Sequence, residues 1–110
     1  MIKEKLVFKR VTNGIERIYN YKLIKSVLGI DEVFGIEIER LDYKGEIKIN
    51  SYSEAVELIS PNEEKVKGVL NMLYENGVSP IHLIDIAGEF IDECVNDFEG
   101  VEHFNYAMTV

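Results

Sequence analysis

Cysteine occurs once, at Cys94, proline twice, at Pro61 and Pro80, and tryptophan not at all among 110 residues. A single thiol excludes an internal disulfide and agrees with a reducing compartment. Cys94 falls in an apolar helical pattern, which makes it a packed small hydrophobe rather than a nucleophile. No apolar run approaches the roughly 20 residues that a membrane-spanning helix needs. Met1-Ile2-Lys3-Glu4-Lys5 shows no apolar stretch after its lysines and no small-residue cleavage site, so a cytoplasmic protein is expected. The glycine-rich phosphate loop, the GxGxxG turn, HExxH, CxxC and the GxSxG elbow are all missing. Ser79 is no better a nucleophile, since its hydroxyl is expected to cap a helix.

Positive charge is scarce in one half only. Residues 51–110 hold two lysines against twelve acids, a net of −10, whereas residues 1–50 hold ten Lys or Arg against eight acids, a net of +2; together they give −8. Such an excess repels phosphate backbones and anionic lipid. No nucleic acid and no membrane is expected as a partner. Lys9, Arg10, Arg17, Lys22 and Lys25, the one possible basic patch, read as solvated strand faces. Six tyrosines and five phenylalanines without a basic groove read as sheet packing rather than as a platform for stacked bases.

What is present is most sharply defined at Val78 to Asp92. Ser79 is a good N-cap, Pro80 suits the first helical position, and Val78 is placed to staple onto Leu83. Two apolar stripes follow, Ile81-Ile84-Ile91-Val95 and Leu83-Ile86-Ala87-Phe90-Cys94, with His82, Asp85, Glu89, Asp92 and Glu93 left on a polar strip. This predicts a half-buried helix. A second helix is predicted before it. Ser60-Pro61-Asn62-Glu63 carries an S-x-x-E capping box, Val66, Val69, Leu70 and Leu73 follow at helical spacing, and Gly77 is placed for the left-handed residue after the helix. Gly68 inside this helix would let another backbone approach.

The first 59 residues read as strands. Leu6-Val11 and about Ile15-Lys25 flank Asn13-Gly14, a tight-hairpin signal. A two-residue turn sets Phe8 against Tyr19 and Leu6 against Tyr21 but Arg10 against Arg17; a three-residue loop sets Arg10 against Glu16 and loses the aromatic pairs. Both registers are open. Ser26 to Glu32 reads as a connection, Phe34 to Leu41 as a third strand with Phe34, Ile36 and Ile38 on one face, and Tyr43-Lys44-Gly45 as a turn. Glu46 to Ile59 reads as one interrupted strand or two short ones, with a helix over 54–59 as the alternative.

The expected fold is therefore α+β: an antiparallel β-meander of three to five strands, followed by two C-terminal helices packed on one face of the sheet. It forms a single domain over 1–110, divided into a meander (1–59), a helix pair (60–97) and an apolar tail (98–110) that covers its own sheet, adds to an edge or docks on another protomer.

The only candidate constellation is His82, Asp85 and Glu89, at i, i+3 and i+7 on one helix face. Imidazole and carboxylates could hold a divalent metal or act as acid and base, with His103 as a further ligand. Three ligands from one exposed helix leave such a site open to water, so the favoured reading is local hydrogen bonding with no catalytic residue, metal or cofactor assigned.

Val78-Ser79-Pro80-Ile81-His82-Leu83-Ile84-Asp85, followed by Gly88-Glu89-Phe90, resembles the signature of a family of short bacterial proteins of the clostridial group, a domain of unknown function. Gly35 to Ile38 resembles the family's third strand. The resemblance covers about residues 5 to 98, implies the same fold and a bacterial cytoplasm, and carries no reaction. The expected function is a small non-enzymatic protein-interaction or regulatory module with a protein partner and possible homodimerisation, through the tail or an uncovered sheet face lined by some of Phe8, Ile18, Tyr19 and Tyr21. The alternative is a small-ligand or metal binder, or an enzyme, centred on His82, Asp85 and Glu89.

Overall fold

The structure is a computed structural model that describes residues 1–98. Four antiparallel strands, β1 (Ile2–Thr12), β2 (Ile15–Leu28), β3 (Asp31–Lys44) and β4 (Ile47–Ser60), lie in the order β1-β2-β3-β4. They are followed by α1 (Glu63–Glu75), a 3-10 turn (Pro80–His82), α2 (Leu83–Glu93) and a second 3-10 turn (Val95–Phe98). This is the α+β meander and helix pair expected from the sequence. The strands are longer and the turns shorter: what reads as a connection from Ser26 is strand as far as Leu28, and only Gly29 and Ile30 turn the chain. Glu54 to Ile59 is strand, so the helical alternative for this stretch falls away.

Asn13 and Gly14 both take positive φ, 53° and 75°, and the two-residue turn they form selects the register with Phe8 opposite Tyr19 and Leu6 opposite Tyr21. The apparent obstacle, Arg10 opposite Arg17, resolves because the side chains leave in different directions. Arg10 lies over the Phe8 ring, 5.5 Å from its centroid, while Arg17 turns towards Asp42 on the next strand, 3.9 Å away.

In β2 the odd residues Tyr19, Tyr21 and Leu23, and in β3 the even residues Phe34, Ile36 and Ile38, face the helices and form the core with Ile59, Val66, Val69, Leu70, Leu73, Val78, Leu83 and Ala87. α1 packs over β2 and β3, and the 3-10 turn and α2 over β4. Phe8, Tyr19 and Tyr21 thus lie on the covered face, and only Ile18 of the four residues expected on the open face is there. The open face is instead laced by Lys22 with Glu37 (3.1 Å) and Glu39 (3.4 Å), and by Asn20 donating to Glu39 (3.0 Å). Burial disfavours the charged Lys22, but its bonds to the two glutamates outweigh that and raise its pKa.

Gly35 is where β4 comes closest. A Cβ there would run into the backbone of Val56 and Glu57. The pairing jumps at this point from Phe34↔Ser60 to Ile36↔Val56, so β4 carries extra residues opposite Gly35.

The helix ends depart from the predicted caps. α1 starts at Glu63 with Asn62 as its N-cap, the Asn62 side chain accepting from the Lys65 N–H at 3.2 Å. Ser60 is not the cap, because it is still paired in β4 opposite Phe34. Its buried hydroxyl accepts from the Asn62 N–H at 3.0 Å and donates to Asp97 at 2.8 Å. At the other end Gly77 (φ 59°) does occupy the left-handed position, with Gly77 N–H bonding to the Tyr74 carbonyl and Val78 N–H to the Leu73 carbonyl, both at 3.1 Å. Ser79 makes no side-chain cap, and the chain first closes a 3-10 turn before α2 begins at Leu83.

The four strands, up to 14 residues each, run most of the 50 Å length of the molecule. The helices cover only one end. On the bare end, Asp42 is 2% exposed and gathers Arg40 Nη2 (3.1 Å), Asn50 Nδ2 (3.4 Å) and Arg17, while Arg40 lies 4.5 Å from the centroid of the Tyr52 ring. Polar side chains here do what the helix layer does at the other end.

Candidate functional site

α2 is apolar around more of its circumference than the core uses. Leu83, Ala87 and, just beyond the helix, Cys94 are buried, and Ile91 is half-buried against the core. Ile81 is 73% and Ile84 52% exposed, and Ile86, Phe90 and Val95 are also exposed. Both predicted stripes are therefore wetter than expected. The physical reason is placement: α2 sits above β4, the edge strand of the described sheet, and among the described residues no further strand extends the floor beneath its outer side. Ile81, Ile84, Gly88, Ile91 and Val95 are spaced 3-4-3-4 along the chain. A Cβ added to Gly88 would meet nothing within 4 Å.

The opposite side of α2 borders a groove of about 290 Å³ shared with α1, lined by Ile59, Gly68, Val69, Met72, Phe90 and Cys94 with Glu64, Lys65 and Glu93 also contributing. Gly68 opens this groove rather than admitting a backbone, since a Cβ on it would also meet nothing within 4 Å. One end is clamped by Asp97, whose two carboxylate oxygens each take a 2.9 Å bond from Lys65 Nζ, besides the bond from Ser60. The hydrogen bonds from Lys65 and then Ser60 hold the Asp97 carboxyl below the usual carboxylate range. Burial pushes the Cys94 thiol up, so this cysteine is the opposite of an activated nucleophile. Nothing local in the sequence ties Ser60 and Lys65 to Asp97, which lie 37 and 32 residues apart from it.

His82 and Asp85 do face each other, with Nδ1 and Oδ2 4.0 Å apart, but their side chains are 55% and 80% exposed. Glu89 is exposed on the same helix and, like them, contributes nothing to the groove. Among the described residues, no three of His, Cys, Asp or Glu come close enough to hold a metal ion together. His103 and the tail from 99 to 110 lie outside the described residues. Among those described, no helix is long and apolar enough to cross a membrane.

No curated protein and no solved structure matches the chain. A family model does, over residues 3–93, which takes in all but the first residue of β1 and runs to the last residue of α2. The chain belongs to that family, the Family of unknown function (DUF6514).

Proposed function

We propose that the protein is a small, non-enzymatic interaction module that docks a protein partner through the outer flank of α2. The observation that carries this reading is the apolar surface that α2 and the 3-10 turn before it leave in water, led by Ile84 and Ile81. Contiguous exposed apolar surface on a small domain marks a contact site more often than chance exposure does. The buried, deactivated thiol and the open setting of His82, Asp85 and Glu89 give no support to a reaction. A bacterial cytoplasmic setting fits the lone cysteine. The net charge of −8 fits a protein partner better than a nucleic acid or anionic membrane.

The test is photocrosslinking in the cell of origin, with benzoylphenylalanine replacing Ile84 in one version and Ile47, exposed at the far end of the sheet, in another. A discrete adduct from position 84 alone is expected. Adducts from neither position, or equally from both, sink the reading. For the alternative centred on His82, metal titration followed by native mass spectrometry decides: a stoichiometric metal lost in His82→Ala would replace the interaction module with a metal site.

A further inference from the structure

We propose that the occupant of this flank is an amphipathic helix whose apolar stripe is bordered by lysine or arginine, an inference that rests on the docking reading above. Ile84, Gly88 and the outer side of the half-buried Ile91 form a short 4-3 stripe along α2, extended by Ile81 and Val95 from the 3-10 turns that flank it, and such a stripe is what an amphipathic helix lays its apolar face against. Gly88 sits at the middle of the stripe with open space over it, where a crossing helix can approach most closely.

The charge beside the stripe selects the partner. On the helical wheel Asp92 and Asp85 fall next to Gly88, on the side away from Ile84 and Ile91, and Glu89 and Glu93 lie further round; α2 carries no basic residue. A second copy of α2 laid antiparallel with Gly88 at the crossing would bring Asp85 against the other copy's Asp92, a like-charge contact on both sides. The chain's own residues 99–110 add Glu99 and Glu102 with no lysine or arginine, so they match this border poorly as well. A helix bordered by lysine or arginine satisfies both the apolar stripe and its acidic edge.

The experiment uses the full chain and two fluorescent peptides of about 18 residues, five helical turns, with one leucine pattern and either lysine or glutamate borders. The lysine peptide is expected to bind, with affinity falling at least about threefold as salt rises from about 0.05 to 0.5 M. The glutamate peptide is expected not to bind. Ile84→Ser, at an exposed position, should weaken the complex about tenfold, equivalent to about 1.4 kcal/mol. Asp85→Asn with Asp92→Asn should flatten the salt dependence, while Glu46→Gln, in the turn at the far end of the sheet, should change neither.

Equal binding of both peptides, binding of neither, or a lysine-peptide affinity indifferent to Ile84→Ser overturns the inference. So does a photocrosslink from position 84 of the purified chain that joins two copies or reaches residues 99–110. Failure with the peptides alone leaves the docking reading to the cellular crosslink, whereas the absence of that crosslink removes both.

Discussion

The Tyr21 hydroxyl donates a 2.9 Å hydrogen bond to the Val78 carbonyl, tying the second strand to the link between the helices 57 residues later. Tyr21 is fully buried, stacks beside Tyr19 and meets Tyr74 edge-on. Burial, reinforced by Tyr19, pushes its pKa up to about 12. The folded pKa lies above the unfolded value of about 10, so the contribution to stability is complete below pH 10 and fades as pH climbs towards 12. Tyr21→Phe leaves the Val78 carbonyl unpaired and should cost roughly 1–2 kcal/mol in urea melts at neutral pH. It should also remove part of the alkaline loss; a variant as stable as the parent, with an identical alkaline limb, would contradict this.

Asp97 acts in the opposite direction on pH. Its carboxyl is held below the usual range by Lys65 and Ser60, so its contribution is present above the unfolded value of about 3.9 and is lost as pH falls through the lower folded pKa. Asp97→Asn should lower the denaturation midpoint at pH 7, by roughly 1 kcal/mol for the weakened bond to the buried Ser60 hydroxyl. Parent and variant should draw together as the pH falls below the lowered folded pKa of Asp97. Parallel pH profiles would show that the clamp contributes nothing.

Three glycines separate by what surrounds them. Gly35→Ala forces a methyl into the backbone of Val56 and Glu57 and should cost about 1–3 kcal/mol or more. Gly68→Ala and Gly88→Ala place the same methyl in open space within helices and should each stabilise by roughly 0.5–1 kcal/mol. Thermal melts of the three variants check the ordering, which a destabilised Gly68→Ala would break.

Asp42 accepts a hydrogen bond from Arg40 and pairs in charge with Arg17, which lets the two arginines share one end of the sheet. Asp42→Ala removes the carboxylate between two partly exposed guanidinium groups and should cost roughly 1.5–3 kcal/mol, the range for a hydrogen bond to a charged group such as that from Arg40. Proteolysis should then cut first within 44–53. A small loss, or cleavage first in the helices, would show that the polar cluster is dispensable.

The sequence predicts the elements whose signals are local. Asn13-Gly14, Gly77 and the alternation from Phe34 to Ile38 each predict a feature that is found, because a turn, a cap or a strand face is decided within a few residues. The register of the first hairpin stays open at that level, since the turn that selects it sets Arg10 opposite Arg17, and what relieves that opposition, Asp42, comes from another strand. Ser60 is misread as a cap for a similar reason: β4 claims its backbone, and Asp97 and Asn62 claim its hydroxyl. The apolar flank of α2 was visible as two stripes, but periodicity says what a helix could bury and not how much floor the sheet provides. His82 and Asp85 do lie together as spacing suggests, while nothing in the spacing reveals how open their surroundings are.

Every strand pairs with its neighbour in sequence through a two-residue turn, so the sheet needs no long loop to close before its contacts form. The chain can zip hairpin onto hairpin, a route with little closure entropy and, for a β-rich protein, a short search. The helix layer comes last in the chain and meets the sheet through distant ties such as Tyr21 to Val78 and Ser60 to Asp97. In native-state hydrogen exchange, α2 amides should open at lower free energy than those of β2 and β3, and uniform protection would refute this. The meander thus separates two jobs in time: the sheet is a template assembled from near neighbours, and the surface offered by α2 exists only once the last third of the chain has arrived on it.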